Sequence, residues 1–184
     1  LKQFNPKWLL VGLVGVAITV LLILFLSGFF VSEKQAMQNA KSAAKEAFNK
    51  EEVPFTKELE SISLYMPKTM KIVSNSANNL ILREDEQGYI LFYNPFEKLK
   101  SDTFYKDAKK AKDIELIETF RNEERFGYIR VIKLDEETYE LQVGVGGVRM
   151  TTETDKNDLK EDAHEMMKIV RSIAYSTIET TKSK

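Results

Sequence analysis

Cysteine is absent from the 184 residues, and histidine occurs once. The first absence rules out disulfide staples, thiol nucleophiles and thiolate zinc sites. Stability must then come from the core, which about 130 residues can supply. It does not fix the compartment, because chains without Cys occur on either side of a membrane. The second absence leaves His164 as the sole imidazole. Its neighbours on that helix face, Lys160, Lys168 and Arg171, are cationic, so a solvated surface histidine is the reading, against a catalytic base or metal ligand. Any zinc site would have to rely on carboxylates, which bind it less distinctively. No G-x-S-x-G elbow is present to supply a serine nucleophile. A basic excess is missing as well. Lys and Arg number 27 against 28 Asp and Glu, and Lys2 and Lys7 are the only charges before Glu33. That balance gives no footprint for nucleic acid.

What the sequence does contain is one long apolar run. Trp8–Val31 is 24 uncharged positions, WLLVGLVGVAITVLLILFLSGFFV. As a helix it would rise about 36 Å, enough to cross a hydrocarbon core of about 30 Å. Trp8 and Phe29-Phe30 sit where aromatics favour the interface, and Lys7 and Lys34 flank the run. The run is longer than a signal-peptide core and lacks a small-residue cleavage site. The expectation is an uncleaved signal-anchor, a single-pass transmembrane helix placing residues 8–31 in the lipid bilayer of a cell membrane. The initial Leu suggests that an initiator Met, and further residues, precede it. Lysines 34, 41, 45 and 50 favour a cytoplasmic C-terminal side. The common bitopic arrangement, with a short tail and a translocated domain, favours an extracytoplasmic one, and the latter is adopted. Gly12, Gly15 and Thr19 share a helix face whose small residues would let a homodimer form, although ordinary glycine content of such helices explains them as well.

Domain organisation is expected as a short tail (1–7), the transmembrane helix (8–31), a helical stalk (32–53), an α+β domain (54–176) and a polar tail (177–184). In residues 33–50, Met37, Ala40, Ala44, Ala47 and Phe48 form a narrow apolar stripe on strong helix formers. The stripe suits either a stalk continuing the first helix or a helix packed on the domain or a partner. Pro54 ends it. Strands are expected at 79–83 (NLILR), 88–93 (GYILFY, apolar on both faces and so central), 113–121, 125–134 and 138–150. Helices are expected at 97–111, burying Leu99, Phe104 and Ala108, and at 157–175, burying Leu159, Ala163, Met166, Val170 and Ile173. Clustered strands with few helices favour an α+β fold, an antiparallel β-sheet packed by helices.

The stretch from Ser61 to Pro95 resembles the opening of PsbP-like and DcrB-like domains. Ile62, Leu64, Tyr65 and Pro67 match its first strand and turn, and Leu80-Ile81-Leu82 and Ile90-Leu91-Phe92 match the strands that follow. Ile169, Ser172 and Ile173 match its closing helix. The family's usual Trp is replaced near Met70. The resemblance covers about residues 55–176 and implies an α-β-α sandwich, usually without catalysis, in accessory or assembly factors at membranes. It transfers no functional residue.

Other candidates have structural explanations. Gly144, Gly146 and Gly147 fall in a strand rather than between strand and helix, and so mark a bulge or close approach rather than a phosphate loop. Glu84-Asp85-Glu86 and Asp135-Glu136-Glu137 fit solvated hairpin turns, and the calcium-loop pattern is missing. The many aromatics, Tyr89 to Tyr139, fit core packing or a recognition surface. No catalytic residue, cofactor or metal ligand is assigned. The expected function is a non-enzymatic, membrane-anchored accessory domain that binds another protein. The alternatives are an extracytoplasmic ligand or metal sensor, or a hydrolase using only carboxylates.

Overall fold

A computed structural model describes residues 6–26, 31–50 and 54–175, with side chains from 12 to 23 in the first stretch. Helix α1 (Pro6–Leu26) comes first. Among the described residues no helix is long and apolar enough to cross a membrane. The expected transmembrane helix at 8–31, and the single-pass, signal-anchored membrane arrangement built on it, are corrected on that finding. The two ends of the expected span lie outside the residues described with side chains.

Nor does a continuous helix run into a stalk. Val31 and Ser32 are non-helical, and α2 (Glu33–Asn49) starts behind its own cap, where Ser32 Oγ accepts from the Gln35 N–H at 3.2 Å. Of the two expectations for this segment, packing is the one formed. Ala36, Met37, Ala40, Ala44, Ala47 and Phe48 are buried in the main core. The run of alanines lets α2 lie close along the last helix.

Strands β1 (Lys57–Glu58) and β2 (Ile62–Leu64) belong to a small sheet. Seven further strands form the main one: β3 (Lys71–Ser76), β4 (Asn79–Glu84), β5 (Gln87–Tyr93), β6 (Ile114–Arg121), β7 (Phe126–Lys133), β8 (Thr138–Val145) and β9 (Val148–Asp155). Their order is β3-β4-β5-β9-β8-β7-β6, antiparallel throughout. Between β5 and β6 lies α3 (Thr103–Ala108), and after β9 come α4 (Leu159–Ser172) and β10 (Ala174–Tyr175), which pairs with β2. The α+β class and the antiparallel sheet packed by helices are found as expected.

Alternation assigns the faces. Leu80, Leu82, Tyr89, Leu91, Ile129, Val131, Leu141, Val143 and Met150 point to one side with Leu159, Ala163, Met166 and Ile169 of α4. Both long helices cover that side. Among the described residues the opposite side carries only α3, with Phe104, Tyr105 and Ala108 packed on Phe126 and Tyr128.

Three local departures from expectation have physical causes. The strand expected at 138–150 is a hairpin: Val145 pairs with Val148, and Gly146 turns the chain at φ +54. A Cβ there would lie 2.7 Å from the Leu99 Cα, so the Gly-Gly pair serves both the turn and the close approach of residues 98–99. The helix expected at 97–111 shrinks to α3 because that approach uses backbone. The Leu99 carbonyl accepts from the Phe126 N–H at 2.9 Å, and Asn94 N–H donates to the Gly147 carbonyl at 2.7 Å. Leu99 is left about half exposed rather than buried. Finally, α4 stops at Ser172, whose Oγ donates to the Ile169 carbonyl at 2.7 Å and accepts from the Tyr65 N–H at 2.8 Å. The chain is thereby released into β10.

Candidate functional site

The uncovered half of the sheet holds a cleft of about 630 Å³. Its floor is built by register. Ile81 of β4 stands directly opposite Ile90 of β5, which stands opposite Thr151 of β9. Two residues along, Glu153 of β9 pairs with Glu140 of β8, and Asp155 with Thr138. Glu86 from the β4–β5 turn and Asp158 from the β9–α4 connection complete the rim. Ile81 is 42% exposed and Ile90 57%. A β-branched side chain in mid-sheet with half its surface in water is an apolar patch in a setting where burial is normal.

The rim is acidic. Glu140 is ion-paired with Arg130, which is only 8% exposed and also donates to the Ala108 carbonyl at the end of α3. Desolvation raises the Asp158 carboxyl above its ordinary pKa, helped by the negative charges of Asp162, Asp155 and Glu161. Asp162 itself is bound inward. It accepts from Tyr89 Oη at 3.0 Å and Gln87 Nε2 at 2.9 Å, and from Thr154 Oγ1, fixing the first turn of α4 to the sheet. Burial, with Asp162 beside it, pushes the Tyr89 hydroxyl far above the phenol range, so it stays a neutral donor. Among the described residues no group of three or more His, Asp or Glu side chains is arranged to hold a metal ion.

The other half of this face stands higher. Over β7 and β8, α3 packs Tyr105 against Phe126 and Tyr128, with ring centroids 5.6 and 6.0 Å apart. Tyr128 has room because residue 144 is glycine; a Cβ there would meet its ring at 2.3 Å. Its hydroxyl donates to Gln142 Oε1 at 2.8 Å, and Gln142 in turn donates to Thr151 Oγ1 at 3.1 Å. Arg149 stacks over Phe92 and Phe104 at 5.3 and 5.0 Å.

The residues singled out by sequence fall elsewhere. His164 lies on α4, with Nδ1 3.2 Å from Glu165 Oε1, in a hollow between α2 and α4 lined by Ala43, Glu46 and Lys160. Gly144 lies within β8 and Gly146 and Gly147 form the β8–β9 turn, each beside a close neighbour. Asp135 closes the β7–β8 turn by accepting from the N–H groups of Glu137 and Thr138, which lowers its pKa. Among the described residues nothing lies within 4 Å of a Cβ built at Gly12 or Gly15, and Thr19 Oγ1 donates to the Gly15 carbonyl within α1. Only Glu86, from the first acidic turn, reaches the cleft. Ile81, Ile90, Glu153, Asp155 and Asp158 were not singled out as site residues. Ile81 lies in NLILR, which predicts only a strand, and Ile90 in GYILFY, whose apolar character on both faces predicts a central strand. Glu153 and Asp155 lie at the end of β9, beyond the strand expected at 138–150.

Compared with known proteins, the chain matches no protein-family model and no curated protein.

Proposed function

We propose that the chain is a non-catalytic protein-binding domain whose working surface is the open sheet face, and that the cleft there takes a lysine-rich segment of a protein bearing an apolar side chain. The observation that carries this reading is the pairing of half-exposed Ile81 and Ile90 with a rim of Glu86, Glu153, Asp155 and Asp158. Aliphatic floor and anionic rim suit a segment that offers an apolar knob between ammonium groups. Compact ammonium charges on flexible stems reach rim carboxylates without a fixed planar geometry. The PsbP-like resemblance points the same way, since such domains are usually without catalysis.

The test is calorimetric titration of the full chain with a synthetic lysine-rich decapeptide containing one phenylalanine. Binding should weaken at least tenfold from about 50 to 500 mM salt, as screening shortens the reach of the rim charges. It should be abolished in Glu153→Lys/Asp155→Lys. Binding unaffected by that double reversal, or no binding at low salt, would remove the reading.

A further inference from the structure

The face that carries the acidic cleft also carries its chemical complement. Residues 96–112 bear Lys98, Lys100, Lys106, Lys109, Lys110 and Lys112, all exposed, against Glu97, Asp102 and Asp107. Two of the lysines are tied locally, Lys106 to Asp102 and Lys110 to Asp107, both at 2.8 Å. Lys98, Lys100 and Lys112 have no ion pair among the described residues. The same segment presents apolar knobs, with Phe96 93% exposed and Leu99 48%. An almost fully exposed phenylalanine is costly to leave in water, at about 25 cal/mol per Å² of apolar surface.

The two features sit at opposite ends of one face. Residues 94–99 cross the Gly146-Gly147 turn, where β8 ends and β9 begins. The cleft lies toward the other end of those strands, at Thr138 and Asp155. One end is raised by a helix layer, and the other is bare sheet. A surface with a raised basic end and a recessed acidic end is complementary to itself after a two-fold rotation about an axis parallel to the sheet and perpendicular to the line joining the two ends. Such isologous contact presents every pairing twice.

We infer that the segment entering the cleft is residues 96–112 of a second copy of the chain, with Phe96 and Leu99 set against Ile81 and Ile90 and the lysines facing Glu86, Glu153, Asp155 and Asp158. This rests on the reading of the cleft as a docking surface for a lysine-rich segment. Each protomer gives its raised end and receives its partner's. The arrangement covers the half-exposed isoleucines of both copies and neutralises both rims. Lysine is the suitable cation because the contact stays partly wet at its rim, where long stems can snorkel.

The absence of cysteine makes the test direct, since any introduced thiol is unique. Full-length chains carrying Ile90→Cys and Leu99→Cys are mixed and mildly oxidised, with circular dichroism verifying that each is folded. A mixed disulfide dimer in at least tenfold excess over that from Lys45→Cys, on the exposed face of α2, is the expected result. Reversal of either partner surface, Glu153→Lys/Asp155→Lys or Lys109→Glu/Lys110→Glu, should cut the yield at least tenfold. Mixing the two reversed chains should restore it, which simple misfolding would not do. Cross-linking confined to Val16→Cys on α1 would overturn the proposal, because association would then run through that helix. Failure to cross-link while the lysine-rich decapeptide still binds would overturn the second copy alone and leave the docking surface standing. Failure of both would end both.

Discussion

Replacing Phe48 by alanine measures how firmly α2 belongs to the domain. Phe48 is the last buried residue of α2 and is 1% exposed. Its ring lies 5.6 Å from that of Phe120 on β6, tilted by 37°. Its edge closes over Gly127 of β7, where a Cβ would come within 2.7 Å of Cε2. Removing a fully buried ring costs about 3–5 kcal/mol, of which an aromatic pair accounts for about 0.5–1.5. The site is held by sheet backbone on one side and can collapse little, so we expect about 4 kcal/mol. With a urea slope of about 2 kcal/mol/M, the midpoint should fall by about 2 M. The only tryptophan is Trp8 in α1, so unfolding is best followed by near-ultraviolet dichroism of the buried tyrosines Tyr89, Tyr128 and Tyr139. A second arm uses Gly127. Gly127→Ala should be destabilising alone and much less so in the Phe48→Ala background, because the new methyl enters the vacated space, a non-additivity expected only for touching groups. Lys45→Ala, on the exposed face of the same helix, should change stability by no more than about 0.5 kcal/mol. A cost below about 1 kcal/mol for Phe48→Ala, or additive effects with Gly127→Ala, would mean that α2 does not pack as described.

Three further outcomes follow from local geometry. Gly146→Ala should cost at least about 2 kcal/mol, since φ +54 and backbone atoms of Lys98 and Leu99 within 3 Å both oppose a side chain; an urea titration checks it. Glu33→Gln should destabilise at pH 7. Glu33 has a lowered pKa through its bonds from Lys133 at 2.7 Å and Tyr139 at 2.9 Å, so its contribution is present above the unfolded carboxylate pKa and lost as pH falls through the depressed value; the two Tm curves should merge in acid. Asp158→Asn should act in the opposite sense. A carboxyl whose pKa is raised on folding contributes least once ionised, so the variant should melt higher than the parent at pH 7 and no higher near pH 3.

The helical and strand periods carried most of this architecture. The stripe Met37, Ala40, Ala44, Ala47, Phe48 is the face that packs, and both ends of β7 and the start of β8 follow the alternation within a residue. What the stripe could not reveal was its partner, because α4 lies more than a hundred residues away. The β8–β9 hairpin was legible in Gly146-Gly147, a dipeptide suited to two-residue turns. It was masked by apolar residues continuing on both sides. The shortening of α3 had no local signal, since the carbonyl of Leu99 is claimed by Phe126 through tertiary contact. The cleft was hidden for a related reason. Ile81 and Ile90 have the composition of buried strand residues, and they are surface because no helix among the described residues covers that half of the sheet.

Isoleucine methyl resonances report directly where a lysine-rich segment touches the domain. In a titration of the full chain with the phenylalanine-containing lysine decapeptide, the methyls of Ile81 and Ile90 should shift progressively. Those of Ile62 and Ile169, buried on the helix-covered side, should stay in place. Shifts centred instead on the hollow around His164 and Glu46, or no shift at Ile81 and Ile90 at saturating peptide, would contradict the assignment of the open face as the binding surface.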